Sequence, residues 1–277
     1  MAERMRSAFT AATTRLELTP LDQTPKVWGH SGRTLSGPVT THSGRAWLRL
    51  LEAPAGKEGG KLWTGTQQAT TLLPTQIPRP RLLRTTHWTH DAHVYRAELT
   101  TYEPTPVCSP TPDLTEPITL PDAWWTQLRQ ATDALSTTPA PHDRQPVISQ
   151  EYIHRTIPRY LGDIGIDTAV QRWSLAHGDL HWANLTSPKL TILDWEGFGP
   201  APHGFDAAHL HAYTLPNPEL AARVHHNFAD ILTTPQGRLA RLTVAAILLQ
   251  AADRDPTHAR LAPHIRKHVH QLLASAI

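Results

Sequence analysis

Cysteine is almost missing from this chain. Cys108 is the only one among 277 residues, which excludes an internal disulfide framework and any multi-cysteine zinc site. Long apolar runs are missing as well, and none approaches the ~20 residues of a membrane-spanning helix. Thr, Arg and Glu interrupt the first twenty residues, so they lack the core of a signal peptide. The expected location is cytoplasmic, with no membrane partner. Charge of one sign is lacking too. The 26 Lys and Arg against 24 Asp and Glu leave +2, which gives no argument for a nucleic-acid partner or an anionic surface.

What is present suits a globular protein, with 39% hydrophobic and 18% charged residues. Proline is abundant at 25, so segments are short or sharply bounded. Histidine is frequent at 18, so many single His residues are incidental. No internal repeat is found.

Residues 1–25 read as a polar arm or an early helix. From Lys26 to about Tyr102 the pattern is strand-like: Lys26 to Gly29, then Thr34 to Thr41 with a break at Gly37-Pro38, then Ala46 to Leu51. Trp63 to Leu73 is a candidate helix of moderate propensity. Leu82 to Trp88 and His93 to Thr101 form a hairpin around Thr89 to Ala92. Residues 103–121 hold six prolines and read as a linker.

Helices dominate beyond the linker. One starts at Pro121-Asp122 and runs to Ser136. Ser149 caps another over Gln150 to Leu161. Asp206 to Leu215, Pro218 to Leu232, Arg238 to Asp253 and Thr257 to Ala276 follow. Leu242 to Leu249 is apolar all round, which marks a core helix. The expected fold class is α+β: a small β-rich lobe over 1–102 and a larger helical lobe over 103–277. Ligands often bind where two such lobes meet.

The most informative stretch is HGDLHWANL, His177 to Leu185, followed by LDWE, Leu193 to Glu196. It sits on short strands and a turn between helices, with the apolar Leu190 to Leu193 read as the strand that leads into LDWE. It places Asp179, Asn184 five positions on, and Asp194 ten further. Phosphoryl transfer from a nucleotide needs such a set. One carboxylate accepts the proton of an attacking hydroxyl, and an amide oxygen with a second carboxylate suits Mg²⁺, which prefers hard oxygen ligands and keeps some of its waters.

At these residues the sequence resembles the aminoglycoside phosphotransferase and choline kinase superfamily. The resemblance implies a bilobed protein-kinase-like fold and transfer of the γ-phosphate of ATP or GTP, with Mg²⁺, to a hydroxyl. It implies Asp179 as catalytic base, His177 as the residue that fixes the loop from behind, and Asn184 and Asp194 as metal ligands. Asp206 would open a helix and buttress the loop. In the small lobe it implies Arg49, on the third strand, as a cation for nucleotide phosphates. Ser31, Gly32 and Arg33 would form the phosphate-covering turn, and Thr101, Tyr102 and Glu103 the hinge toward adenine.

One departure stands out. The kinase pattern pairs the third-strand cation with a Glu on the small-lobe helix, and Trp63 to Leu73 contains no acid. Thr66, Gln67 and Gln68 stand there instead, with Glu58 upstream. This opens a second reading, a nucleotide-binding but non-catalytic scaffold. A zinc pair, His177 and His181, is a third reading, though Gly178 argues against the helix such a pair requires. His90, His93, His225 and His226 read as solvated surface, and the Trp residues as packing.

The acceptor is argued from charge. Residues 200–277 hold five acids, Asp206, Glu219, Asp230, Asp253 and Asp255, against seven Arg or Lys. A polycationic aminoglycoside or choline would want more carboxylates, so a neutral or anionic hydroxyl compound fits better. A Ser or Thr of a peptide is the alternative acceptor. The oligomeric state is not legible.

Overall fold

The computed structural model describes residues 1–21, 26–29, 32–114 and 116–274. Two compact units divide the chain, one of residues 1–72 with 79–104, the other of 73–78 with Thr105 onward.

The first unit opens with helix α1, Ala2–Arg15. Met5, Ala8, Phe9 and Ala12 are its buried stripe, spaced i, i+3, i+4, i+7 as one helical face requires. The sheet comprises β1 (Thr19–Pro20), β2 (Val27–Trp28), β3 (Thr34–Thr41), β4 (Gly44–Pro54), β5 (Leu82–His90) and β6 (His93–Thr101). Its order is β1-β3-β4-β6-β5, with β2 also on β3, and every pairing is antiparallel. Leu35, Val39, Leu48, Leu50, Ala97 and Leu99 join the helical stripe in one buried cluster. Helix α2, Lys61–Leu72, precedes β5.

The expected break at Gly37-Pro38 does not occur, and β3 runs through it with Pro38 opposite Trp47 on β4. On its other side β3 pairs with β2 at Leu35 and Ser36 and with β1 at Val39 and Thr40. Pro38 thus falls between the two outer partners, at an edge position that needs no N–H. Residues 1–15 are a helix packed on this sheet, not a polar arm.

The second unit holds α3 (Asp122–Thr137), α4 (Gln150–Leu161), α5 (Phe205–Thr214), α6 (Pro218–Asn227), α7 (Ala229–Leu232), α8 (Pro235–Ala251) and α9 (Pro256–Ala274). A short ribbon pairs β7 (Trp173–Ala176) with β8 (Gly199–Pro202). Ser149 caps α4 by accepting from the Tyr152 amide at 3.2 Å. Helix α8 buries Leu239, Leu242, Val244, Ala245 and Leu248, so it is the apolar core helix expected.

Two expectations change here. Pro218 to Leu232 is two helices, with Phe228 between them at φ −121 and ψ 21. Leu190 to Leu193 makes only one β-bridge, Leu185 to Ile192. Its amides are otherwise engaged: Ile192 donates to the Pro78 carbonyl at 2.8 Å and Leu193 to the Asn184 carbonyl at 2.8 Å. The proline-rich stretch is also less free than a linker, since Ser109, Asp113, Leu114 and Leu120 are buried.

Candidate active site

The loop after β7 carries His177, Gly178 and Asp179. Its shape is set by the carboxylate of Asp206, in the first turn of α5. That carboxylate accepts from the His177 amide at 2.7 Å and the Gly178 amide at 2.9 Å. Gly178 has φ +85, and a Cβ there would lie 2.7 Å from Val147 Cγ2. Both the backbone angle and the space therefore demand glycine. Asp206 is fully enclosed, which pushes its pKa up; the His177 charge and the two amides oppose that rise.

His177 is buried and engaged at both ring nitrogens. Nδ1 accepts from the Asp179 amide at 3.3 Å, and Nε2 lies 2.7 Å from the Leu193 carbonyl. With Nδ1 accepting, the proton sits on Nε2 and is donated to Leu193. Backbone thus claims both nitrogens, which argues against His177 as a zinc ligand. The Trp195 ring meets His177 edge-on at 4.7 Å.

Asn184 closes the loop. Its Nδ2 donates to the Asp179 carbonyl at 3.0 Å and lies 3.5 Å from Asp179 Oδ2. The amide oxygen is left as the group that can face a cation. Leu193 donates to the Asn184 backbone carbonyl and accepts from His177, so the residue just before Asp194 is fixed from two sides. Asp194 itself is left-handed, at φ 60 and ψ 59. Its carboxylate is exposed and has no partner among the described residues. The sequence thus brings Asp179 and Asn184 into contact, and the Asn184–Leu193 bond fixes the residue that precedes Asp194.

The Asp179 side chain is 54% accessible, and His181 Nε2 lies 3.3 Å from its Oδ2. Burial pushes its pKa up. The hydrogen bond to His181 and the electrostatic pull of the His181, His209 and His177 imidazoles outweigh that, and the carboxyl sits below its ordinary range. Behind it, His209 is enclosed, with Nδ1 3.3 Å from the Leu180 carbonyl. Burial pulls its pKa down to about 4, against the Asp179 charge.

In the first unit, Arg49 on β4 faces Glu98 on β6, with Nη1 3.4 Å from Oε2. Arg96 donates to the other Glu98 oxygen at 2.9 Å and, through Nη2, to Gln67 of α2 at 3.0 Å. The acid missing from α2 is therefore matched by an acid on the adjacent strand. Gly32 has φ +69 and donates to the Gly29 carbonyl at 3.0 Å. Arg33 is exposed, and its carbonyl accepts from Glu52 at 3.2 Å. Ser31 lies outside the described residues. Thr101 ends β6, donating its amide to the Arg81 carbonyl at 2.9 Å, while its hydroxyl accepts from the Arg81 amide at 3.0 Å. Tyr102 receives the Arg45 guanidinium over its ring at 5.9 Å. Glu103 is half-buried.

Glu98, Arg96, His209 and Arg144 were not singled out in sequence. Arg144 donates to the carbonyls of Phe198 at 2.6 Å and Glu196 at 2.7 Å, clamping the segment after Asp194. It lies 52 residues from Glu196, and no local spacing could reveal it. Glu98 was open to register reasoning, since it pairs directly with Arg49 across β4 and β6. His93 and His225 are corrections: His93 Nε2 lies 3.3 Å from Glu52 Oε1, and His225 is half-buried beside His211. Neither is simply solvated.

A β-sheet unit with one interposed helix is followed by a helical unit whose loops carry the HGD and LDW segments. The chain has the fold of solved aminoglycoside phosphotransferases and small-molecule kinases. It is similar to a thermostable mutant of aminoglycoside phosphotransferase APH(4)-Ia solved with ADP and hygromycin B (TM-score 0.62, 12% identity, 96% of this chain and 97% of that one). It is similar to the amicoumacin kinase hAmiN solved in complex with AMP-PNP, Ca²⁺ and Ami (TM-score 0.60, 12% identity, 98% and 96%). It is also similar to a microcompartment-associated aminopropanol kinase (TM-score 0.60, 14% identity, 96% and 98%). No protein-family model matches the sequence, and no curated protein does.

Proposed function

We propose that this protein is a kinase that transfers the γ-phosphate of ATP or GTP to a hydroxyl of a small molecule. The carrying observation is the closed set of bonds from Asp206 through His177 and Gly178 to Asp179, Asn184 and Leu193. It holds one half-exposed carboxylate beside an amide oxygen and a free carboxylate. Asp179 orients the acceptor hydroxyl and takes its proton as the new O–P bond forms and the bond to the nucleotide diphosphate breaks. Its lowered pKa makes it a weak base, which suits a loose transition state where positioning outweighs proton abstraction.

Asn184 and Asp194 would hold Mg²⁺, which neutralises charge on the phosphates when bound. The donor set fits, because both present oxygens that the protein does not otherwise use. Arg49 meets the nucleotide phosphates with a permanently charged, forked donor, and Glu98 holds it in place. Gly32 and Arg33 would cover the phosphates, and Thr101, Tyr102 and Glu103 would read adenine. Similar folds have been solved with ADP and AMP-PNP, which supports the nucleotide assignment. Helix α2 still carries no acid, but Glu98 opposite Arg49 gives that cation a carboxylate, which supports the catalytic reading over the scaffold.

The acceptor is neutral or anionic. Asp113 pairs with Arg260 at 3.3 Å, Asp230 with Arg129 at 2.6 Å and Asp255 with His258 at 2.9 Å. Asp206 is committed to the loop. Few carboxylates remain to receive a polycation.

The test combines ADP-and-Mg²⁺ binding with ATP consumption across a panel of hydroxyl compounds. Asp179→Ala should lower turnover by about 10²–10⁴, the usual share of a positioned base, and leave nucleotide affinity largely intact. Undiminished turnover in that variant would refute the assignment.

A further inference from the structure

A cavity of about 630 Å³ opens in the second unit where α7, α8 and α9 meet. That volume is typical of a small-molecule site. It is distinct from the loop of Asp179. His209 on α5 bonds Leu180 of that loop, whereas His211 projects about 200° around the same helix. The His211 ring lies 5.8 Å from His225 and 5.0 Å from His268, both of which line the cavity.

The lining is cationic and short of counter-charge. Arg238 contributes a guanidinium whose Nε is buried without a hydrogen-bond partner among the described residues. Arg241 donates Nε to His268 Nε2 at 3.3 Å and Nη1 to the Leu232 carbonyl at 3.5 Å, and no carboxylate reaches it among the described residues. Burial pulls the Arg241 pKa down to about 10 and the His268 pKa down to about 4. His268 is therefore neutral at pH 7 and accepts from Arg241. The one acid in the lining, Asp167, is exposed and uses Oδ1 to accept from the Ala169 amide at 2.9 Å. Thr233 and Thr234 sit at the start of α8, where the helix dipole adds positive potential; their hydroxyls donate to the Ala229 and Ile231 carbonyls at 2.6 and 2.7 Å. Leu232, Leu239 and Leu272 supply apolar wall.

A half-buried pair of guanidiniums without carboxylates is costly unless an anion completes it. Two forked guanidinium donors on one wall match the several acceptor oxygens of a phosphate group better than a single carboxylate. We propose that this cavity binds a small organic anion of the phosphate-ester class, with its phosphate at Arg238 and Arg241 and its body against the leucines. Nothing in this assignment rests on the kinase reading.

Titration calorimetry on the full chain tests it, with inorganic phosphate and phenyl phosphate as probes and chloride at matched ionic strength as the reference. Both probes should bind saturably, phenyl phosphate more tightly, and benzoate should bind more weakly than phenyl phosphate. Arg238→Gln should weaken phosphate about tenfold or more, the loss of one charge-assisted contact. Thr233→Glu places a carboxylate at the exposed rim and should weaken it likewise. It decides the question if Arg238→Gln fails to fold. ADP–Mg²⁺ affinity should stay unchanged in both variants. No binding beyond chloride, undiminished phosphate binding in the folded variants, a parallel loss of ADP affinity, or benzoate binding more tightly than phenyl phosphate would each overturn the proposal. A chain that binds phosphate here but no nucleotide would sink the kinase reading and leave this one standing.

Discussion

Glu98 is the residue whose removal says most about the first unit. It is 1% exposed and shared by two guanidiniums, Arg49 and Arg96. Glu98→Gln leaves those cations without their carboxylate, and breaking such a buried set costs about 3–5 kcal/mol. Urea denaturation should show a loss of that size. The proposed role of Arg49 adds that KM for nucleotide should rise more than kcat falls. The pairing was readable in principle, since strand register puts position 98 opposite 49. A search for the acid on the helix missed it because the usual spacing pointed to α2. There Gln67 reaches Arg96 and tethers the helix to the same cluster without adding charge.

At the scale of elements, the loop between β7 and α5 depends on one backbone angle. Gly178→Ala forces a Cβ to within 3 Å of both Val147 methyls at φ +85. The left-handed backbone alone costs about 1–2 kcal/mol, and the contact adds to it. The variant should melt at lower temperature and lose turnover out of proportion to its lost stability, because Asp179 is the next residue. Thermal melting beside steady-state rates checks both. The motif was legible here because its geometry is local: Asp179 to Asn184 spans five residues and closes on itself. Leu190 to Leu193 misled because an apolar, β-prone run looks like a strand whether or not a ladder partner exists. For α1, read as an arm or an early helix, the structure decides for the helix. Its stripe is half alanine, so the helical period is faint in sequence and clear only once it covers the sheet.

Across the whole molecule, buried histidines set the response to acid. Burial depresses the pKa of His209 and His268 to about 4 and that of His211 to about 2. Unfolding frees them to bind protons near their ordinary value of about 6.5. Between those limits the unfolded chain takes up more protons, so stability rises with pH and is lost as pH falls from about 6.5 toward 4. Each such group adds up to about 1.4 kcal/mol per pH unit. Asp206 works the other way, since its raised pKa lets the folded state bind a proton first. One raised carboxyl against three depressed histidines leaves the net slope positive. Unfolding midpoints measured from pH 7 to pH 4 should fall steadily; a flat profile would contradict the buried-neutral assignment.

Sequence by itself determined the α+β order of elements, the helical second half and the spacing of Asp179, Asn184 and Asp194, because propensity, caps and short-range motifs act within a few residues. Tertiary structure alone decided that Arg144 would clamp the segment after Asp194, and that Arg238, Arg241 and His268 would converge on one cavity. Those partners lie far apart along the chain or on separate helices. Only the packing of apolar faces brings them together, and that packing is a property of the folded whole, not of any one segment.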